Sequence, residues 1–184
     1  MKLTAAHSAL VIVDMQNRLA PAIDGFSDVE QQNRWLIEVA HQLNIPVLAT
    51  EQYPHGLGVT VQSLLALLKT DQILEKIHFD ATAEPAVLAW LADHKTKQVV
   101  LAGCEAHVCV LQTALGLLEQ GLQVYVVVDA VGSRRASDKQ LALARMQQAG
   151  AVLVSREMVA FEWLERAGTD QFRLLSHSHL KPLS

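Results

Sequence analysis

Cys109 stands where a thiol can be made nucleophilic. The stretch Lys97–Thr113, K-Q-V-V-L-A-G-C-E-A-H-V-C-V-L-Q-T, opens as an apolar strand-like run, turns at Gly103 and goes on with helical periodicity. A strand that ends in a tight turn and feeds a helix start is where α/β proteins hold reactive groups. The thiolate is the attacking form of cysteine, and helix-start N–H groups stabilise it. A thiol of pKa about 8.5 is mostly protonated at neutral pH, so it needs a neighbour to take its proton and a cation to steady the charge. Two residues of those types end other strand-like runs: Asp14 follows the apolar run 9–13, and Lys76 closes the run 72–76.

Taken singly, each has a plainer reading. A lone cysteine is often a small buried hydrophobe. Asp14 could cap the segment after it, and Lys76 could be a solvated strand-end charge. Cys104 reads as structural. Thr113, one turn past Cys109, reads as bonding back to helix carbonyls. Asp129, at a strand end, reads as holding the loop around Ser133. His107 is either a rim contact or a solvated side chain. The tail pair His177 and His179 reads as solvated.

The elements that must position these residues alternate. Apolar runs at 9–13, 45–49, 72–76, 98–102, 123–128 and 151–154 predict strands buried on both faces. Helical patterns fill 27–43, 59–68, 83–93, 106–120, 137–150 and 157–167, with loop at 50–58 and a short helix, then loose chain, from Thr169. Ser27-Asp-Val-Glu30 and Ser137-Asp-Lys-Gln140 read as capping boxes. Six strands alternating with helices predict a three-layer, Rossmann-like α/β fold with a parallel sheet in the order 3-2-1-4-5-6, spanning 1–184 as one domain. Strands 1 and 4 then lie side by side at the switch point, which brings Asp14, Lys76 and Cys109 to one edge.

Composition narrows the partners. With 51% hydrophobic and 18% charged residues the chain is globular, and a net charge of -4 argues against nucleic acid or an anionic membrane surface. No apolar run approaches the roughly 20 residues of a membrane span, and no leader is expected before the first strand, which predicts a cytoplasmic protein. Two cysteines five apart fit neither a disulfide framework nor C-x-x-C. The strand-1 turn lacks G-x-G-x-x-G, so no dinucleotide is expected.

Four segments together carry a resemblance: Val11-Ile-Val-Asp-Met-Gln-Asn17, Glu75-Lys-Ile-His-Phe-Asp80, Leu101–Thr113 and Val126-Val-Val-Asp-Ala130. In this order the chain resembles the isochorismatase-like cysteine hydrolases, which include nicotinamidases. The resemblance implies Asp14 as general base and acid, Lys76 as orienting cation and Cys109 as nucleophile. It also implies a cis peptide at Cys104–Glu105 and an oxyanion hole made by the backbone N–H groups of Glu105 and Cys109. The implied reaction is hydrolysis of a small amide through a thioester. The alternative is a binding member of the fold that does no chemistry.

Nicotinamidases carry a D-x-H…H metal site after strand 2, whereas this chain offers only Glu51 and His55 in Thr50–Gly58. That is too few ligands for a firm divalent site, so neither metal nor other cofactor is expected. The wording T-E-Q-Y-P-x-G-L-G resembles isochorismatase-domain proteins whose substrates are poorly defined. There, Gln52, Tyr53 and Phe79 would wall the pocket, with aliphatic Leu19 replacing the aromatic residue of nicotinamidases. The implied partners are a small-molecule substrate and further copies of the chain.

Overall fold

A computed structural model describes residues 2–180. Its single sheet is parallel throughout, in the order β3-β2-β1-β4-β5-β6. The strands are β1 (Ser8–Val13), β2 (Val47–Gln52), β3 (Ile73–Lys76), β4 (Gln98–Cys104), β5 (Gln123–Gly132) and β6 (Val152–Val154). The predicted strand order is the observed one.

The near-continuous apolar character of β1 and β4 follows from burial on both faces. One face packs Leu10, Ile12, Tyr125 and Val127 against α1 (Phe26–Gln42), α7 (Arg156–Leu164) and α8 (Asp170–Leu175) through Leu36, Ile37, Trp163 and Leu175. The other packs Val11, Val13 and Leu101 against α4 (Pro85–Asp93), α5 (Leu111–Glu119) and α6 (Ala136–Gln148) through Leu91, Leu117 and Met146. Each such aliphatic side chain contributes roughly 1.5–3 kcal/mol on leaving water, so truncating the fully buried Leu36 or Leu117 to Ala costs about 2–5 kcal/mol.

Several boundaries differ from the sequence reading, each for a tertiary reason. Neither predicted capping box forms at its helix start. α1 is entered from Gly25 at φ 62, which puts Ser27 inside the first turn, and the Glu30 carboxylate is taken by the Ser63 hydroxyl. α6 starts at Ala136, which likewise puts Ser137 inside it. The last large helix has the cap the sequence reading missed: Ser155 Oγ accepts from Met158 N–H at 3.2 Å.

The predicted helix 59–68 shrinks to the single turn α3 (Gln62–Leu65). Thr60 is drawn instead into a bridge with Gln16, and its N–H and hydroxyl both donate to Glu51. β2 runs three residues into the expected loop because Thr50, Glu51 and Gln52 pair with Leu74, Glu75 and Lys76 of β3. The short helix α2 (Pro54–Leu57) follows.

The tail is not loose as far as it is described. Ser176–Leu180 continues α8 as a wide helical turn. Trp35 Nε1–H donates to the His179 carbonyl at 3.3 Å, and His179 Nε2 lies 3.1 Å from Glu38 Oε2. His179 is therefore docked on α1 and not solvated. Among the described residues no helix is long and apolar enough to cross a membrane.

Candidate active site

The site forms where β1, β3 and β4 end. Gly103 makes the meeting of β1 and β4 possible. Its φ is 108, and a Cβ there would lie 2.1 Å from the Val13 carbonyl oxygen. Only glycine tolerates both conditions. Asp14 follows Val13 in the left-handed region at φ 48, a conformation open to aspartate at small cost.

Asp14 is 1% exposed. Its N–H donates to the Thr50 carbonyl at 3.1 Å, and Oδ1 accepts from the Thr50 hydroxyl at 2.7 Å. Oδ2 lies 2.8 Å from Lys76 Nζ, a charge contact without good hydrogen-bond alignment. Lys76 is as deeply buried. Its Nζ donates to Gln52 Oε1 at 2.6 Å and reaches the carbonyls of His78 at 3.3 Å and Phe79 at 3.5 Å. A buried ammonium survives only with such partners.

Cys109 lies in the wide helical turn Ala106–Val110 that precedes α5 and is 7% exposed. Its thiol is close enough to Asp14 and Lys76 for both side chains to shift its titration. The three side chains singled out in the sequence thus share one point.

The electrostatics keep the need for a proton acceptor that the sequence implies. Burial pushes the Cys109 thiol up to about 12; the Asp14 charge pushes the same way, and Lys76 opposes. Burial also raises the Asp14 carboxyl, against the pull of Lys76 and of its hydrogen bonds. The resting thiol is therefore protonated, and desolvation makes its neighbour a better base.

The surroundings are tied together. Ala81 N–H donates to Thr113 Oγ1 at 3.0 Å, which fastens the segment after Lys76 to the helix after Cys109. Thr113 was expected to serve its own helix; here its hydroxyl oxygen serves the neighbouring strap. A Cβ at Gly116 would sit 2.2 Å from Thr82 Oγ1, so the same helix stays bare where the strap docks. The Cys104–Glu105 peptide is cis. Glu105 accepts from Arg134 Nε at 2.8 Å and Nη2 at 3.1 Å, and His107 Nδ1 lies 3.0 Å from Ser133 Oγ. His107 is thus not simply a solvated side chain. Asp129 does not hold the Ser133 loop: its Oδ1 accepts from Arg156 N–H at 3.0 Å, at the start of α7.

The expected pocket residues separate. Tyr53 and Phe79 are each about half exposed, Tyr53 at 53% and Phe79 at 52%, close to the cluster through the Tyr53 N–H to Lys76 carbonyl bond of 2.9 Å. Leu19 is buried in the core on the α1 face. Gln52 is buried and turned to Lys76, with Nε2 donating to the Ile77 carbonyl at 2.7 Å. Glu51 is engaged by Thr60, while the His55 ring meets Tyr53 edge-on. Among the described residues no group of three or more His, Cys, Asp or Glu side chains could hold a metal.

A family model for the isochorismatase domain matches residues 8–158. The chain belongs to the isochorismatase domain family. Isochorismatase domain-containing protein 2A of Mus musculus is 40% identical over 167 residues, covering 90% of this chain and 79% of that protein. Among solved structures, the MAR1 ribonuclease of Caenorhabditis elegans superposes with a TM-score of 0.92 at 38% identity, covering 100% of this chain and 95% of that one. The YcaC gene product of Escherichia coli, an octameric hydrolase of unknown specificity, gives 0.86 at 26% identity, covering 90% and 83%.

The matched residues span all four motifs. The supporting contacts are visible only in the fold. Thr50 stands beside Val13, and Gln52 beside Lys76, in the strand register. Ending β2 with the apolar run at Ala49, before either residue, passes over Thr50 and makes Gln52 a pocket wall. The signal that could have found them is the position of Thr50 and Gln52 one and three residues past that run.

Proposed function

We propose that this isochorismatase-family protein is a metal-independent cysteine hydrolase that cleaves a small amide. The observation that carries the reading is the buried Asp14–Lys76 ion pair, at 2.8 Å, against the Cys109 thiol. Asp14 takes the thiol proton as Sγ bonds to the amide carbonyl carbon. The carbonyl oxygen gains the electron pair and is held by the N–H groups of Glu105 and Cys109, each such donor being worth about 2.7–4 kcal/mol. Asp14 then returns the proton to the amide nitrogen, the C–N bond breaks, and ammonia or an amine leaves a thioester. Water attacks that thioester as Asp14 takes a proton from it. The C–S bond breaks, and the thiolate recovers its proton from Asp14.

Lys76, held by Asp14 and by the neutral oxygens of Gln52, His78 and Phe79, steadies negative charge on the sulfur in this scheme and moves no proton itself. Tyr53 and Phe79 offer apolar contact for the acyl group. The octameric state of the Escherichia coli relative supports self-association of this chain. The net charge of -4 and the mechanism both fit a small neutral substrate in the cytoplasm.

The test is ammonia release from a panel of small primary amides, run beside single-stranded RNA because the Caenorhabditis elegans relative is named a ribonuclease. Ammonia release that Cys109→Ala abolishes supports the reading. RNA cleavage that survives Cys109→Ala replaces it with a nuclease. No turnover, with a panel amide raising the thermal midpoint of the wild type, replaces it with a binding protein.

A further inference from the structure

We infer that Gln52 is a positioning residue, whose carboxamide fixes the Lys76 ammonium against Asp14 and Cys109, and not a wall of the substrate pocket. This rests on the cysteine-hydrolase reading and deepens it.

The carboxamide has one available orientation. Nε2 donates to the Ile77 carbonyl at 2.7 Å, which turns Oε1 onto Lys76 Nζ at 2.6 Å. A flipped amide would set Oε1 against the Ile77 carbonyl oxygen and two N–H donors against the ammonium. The backbone of Gln52 is equally constrained: its N–H donates to Gln16 Oε1 at 2.8 Å, and its carbonyl accepts from Gln16 Nε2 at 3.0 Å. Gln16 is itself fully buried and also donates to the Gly58 carbonyl. Strand register places Gln52 beside Lys76, so the contact is set by the sheet and not by a mobile loop.

Charge gives the contact its purpose. Asp14, Lys76 and the neutral thiol sum to zero, and moving the thiol proton to Asp14 keeps that sum. A neutral acceptor on Lys76 completes the cage without disturbing the balance. A carboxylate in the same place would compete with Asp14 for the ammonium and add a negative charge beside the nascent thiolate.

The experiment reads Cys109 alone, by acrylamide or iodoacetamide alkylation across pH with the site assigned by mass spectrometry. Gln52→Glu keeps the shape and adds the charge. It is expected to move the alkylation profile up by about one pH unit, a tenfold loss of rate at fixed pH. Gln52→Met removes the acceptor at similar volume and is expected to slow alkylation about tenfold, in line with a hydrogen bond to a charged group. On an amide that the wild type turns over, both variants lower kcat and leave KM within about twofold. A raised KM with an unmoved alkylation profile would make Gln52 a pocket wall. A lowered thermal midpoint with an unmoved profile would make it merely structural. Either result overturns this inference and leaves the hydrolase reading intact. That reading fails separately if wild-type Cys109 alkylates no faster than Cys104.

Discussion

Cys104 and Cys109 lie five residues apart at the same sheet edge, and burial pushes both thiols up to about 12. Burial therefore does not distinguish them. Their neighbours do. Cys104 is fully buried at the end of β4, close enough to Gly132 that a Cβ there would lie 3.2 Å from the sulfur. Cys109 keeps a 7% opening and feels a carboxylate and an ammonium that are themselves held by Thr50 and Gln52. A raised pKa is a handicap when nothing can take the proton. It matters less when the acceptor is in contact and desolvated too, because the proton moves within the site and never has to reach bulk water. The comparison teaches that two equally desolvated thiols in this fold are told apart by their neighbours, not by their own resting acidity.

The largest expected effect breaks the comparison outright. Cys109→Ala abolishes ammonia release, whereas Cys104→Ala leaves kcat within about twofold and lowers the thermal midpoint by roughly 5 °C, the size of a small core deletion. Equal loss in both variants, measured on the same amide, would end the assignment of distinct roles.

The next pair separates proton acceptor from cation. Asp14→Asn lowers kcat by about 10²–10⁴, the span of a lost acid–base group, and Lys76→Met by about 10²–10³, that of a lost charge-stabilising donor. Their effects on alkylation of Cys109 have opposite signs. The Asp14 charge raises the thiol pKa and Lys76 lowers it, so Asp14→Asn moves the alkylation profile to lower pH and Lys76→Met to higher pH. The sequence pattern alone would predict that Asp14→Asn slows alkylation; the charge of Lys76, left uncompensated beside the sulfur, reverses that sign. Cys104 stays unlabelled in the folded protein throughout.

Stability gives a third contrast. Lys76→Met leaves a carboxylate buried without its partner and costs about 3–5 kcal/mol. The double variant Asp14→Asn/Lys76→Met recovers part of that in a denaturant titration. Additive losses would show that the two groups are not coupled.

The smallest effect lies on the strap that cages Lys76. Glu84 accepts from the N–H groups of Ile77 and His78, at 2.9 and 3.2 Å, and these bonds together with the His78 ring hold its carboxyl down at about 2. The folded value lies below the unfolded one, so this support is present above the ordinary 4.5 and is lost as pH falls from about 4.5 toward 2. Glu84→Gln is expected to flatten the acid side of the thermal-midpoint curve slightly. An unchanged curve would mean that the strap draws no stability from this carboxylate.

The sequence by itself determined the strand order and singled out the acid, the amine and the thiol that the fold brings together. Apolar runs and their alternation with helical patterns depend on burial, and burial leaves a direct imprint on composition along the chain. It misjudged the ends of elements for the opposite reason. Ser27-Asp-Val-Glu30 has the residues of a capping box, yet Glu30 is claimed by Ser63, far away in sequence. Thr50 and Gln52 look like loop residues, yet they finish β2 because β3 offers them partners.

Only the tertiary structure decided what the site is made of. Gln52 turned from a pocket residue into the partner of Lys76, and Thr113 from a helix-internal hydroxyl into a clasp on the strap at Ala81. His179 turned from a solvated tail residue into the partner of Glu38. A polar side chain satisfies its hydrogen bonds with whatever the fold brings within about 3 Å. Residue type fixes which bonds it can make, and only the packed chain fixes which ones it does.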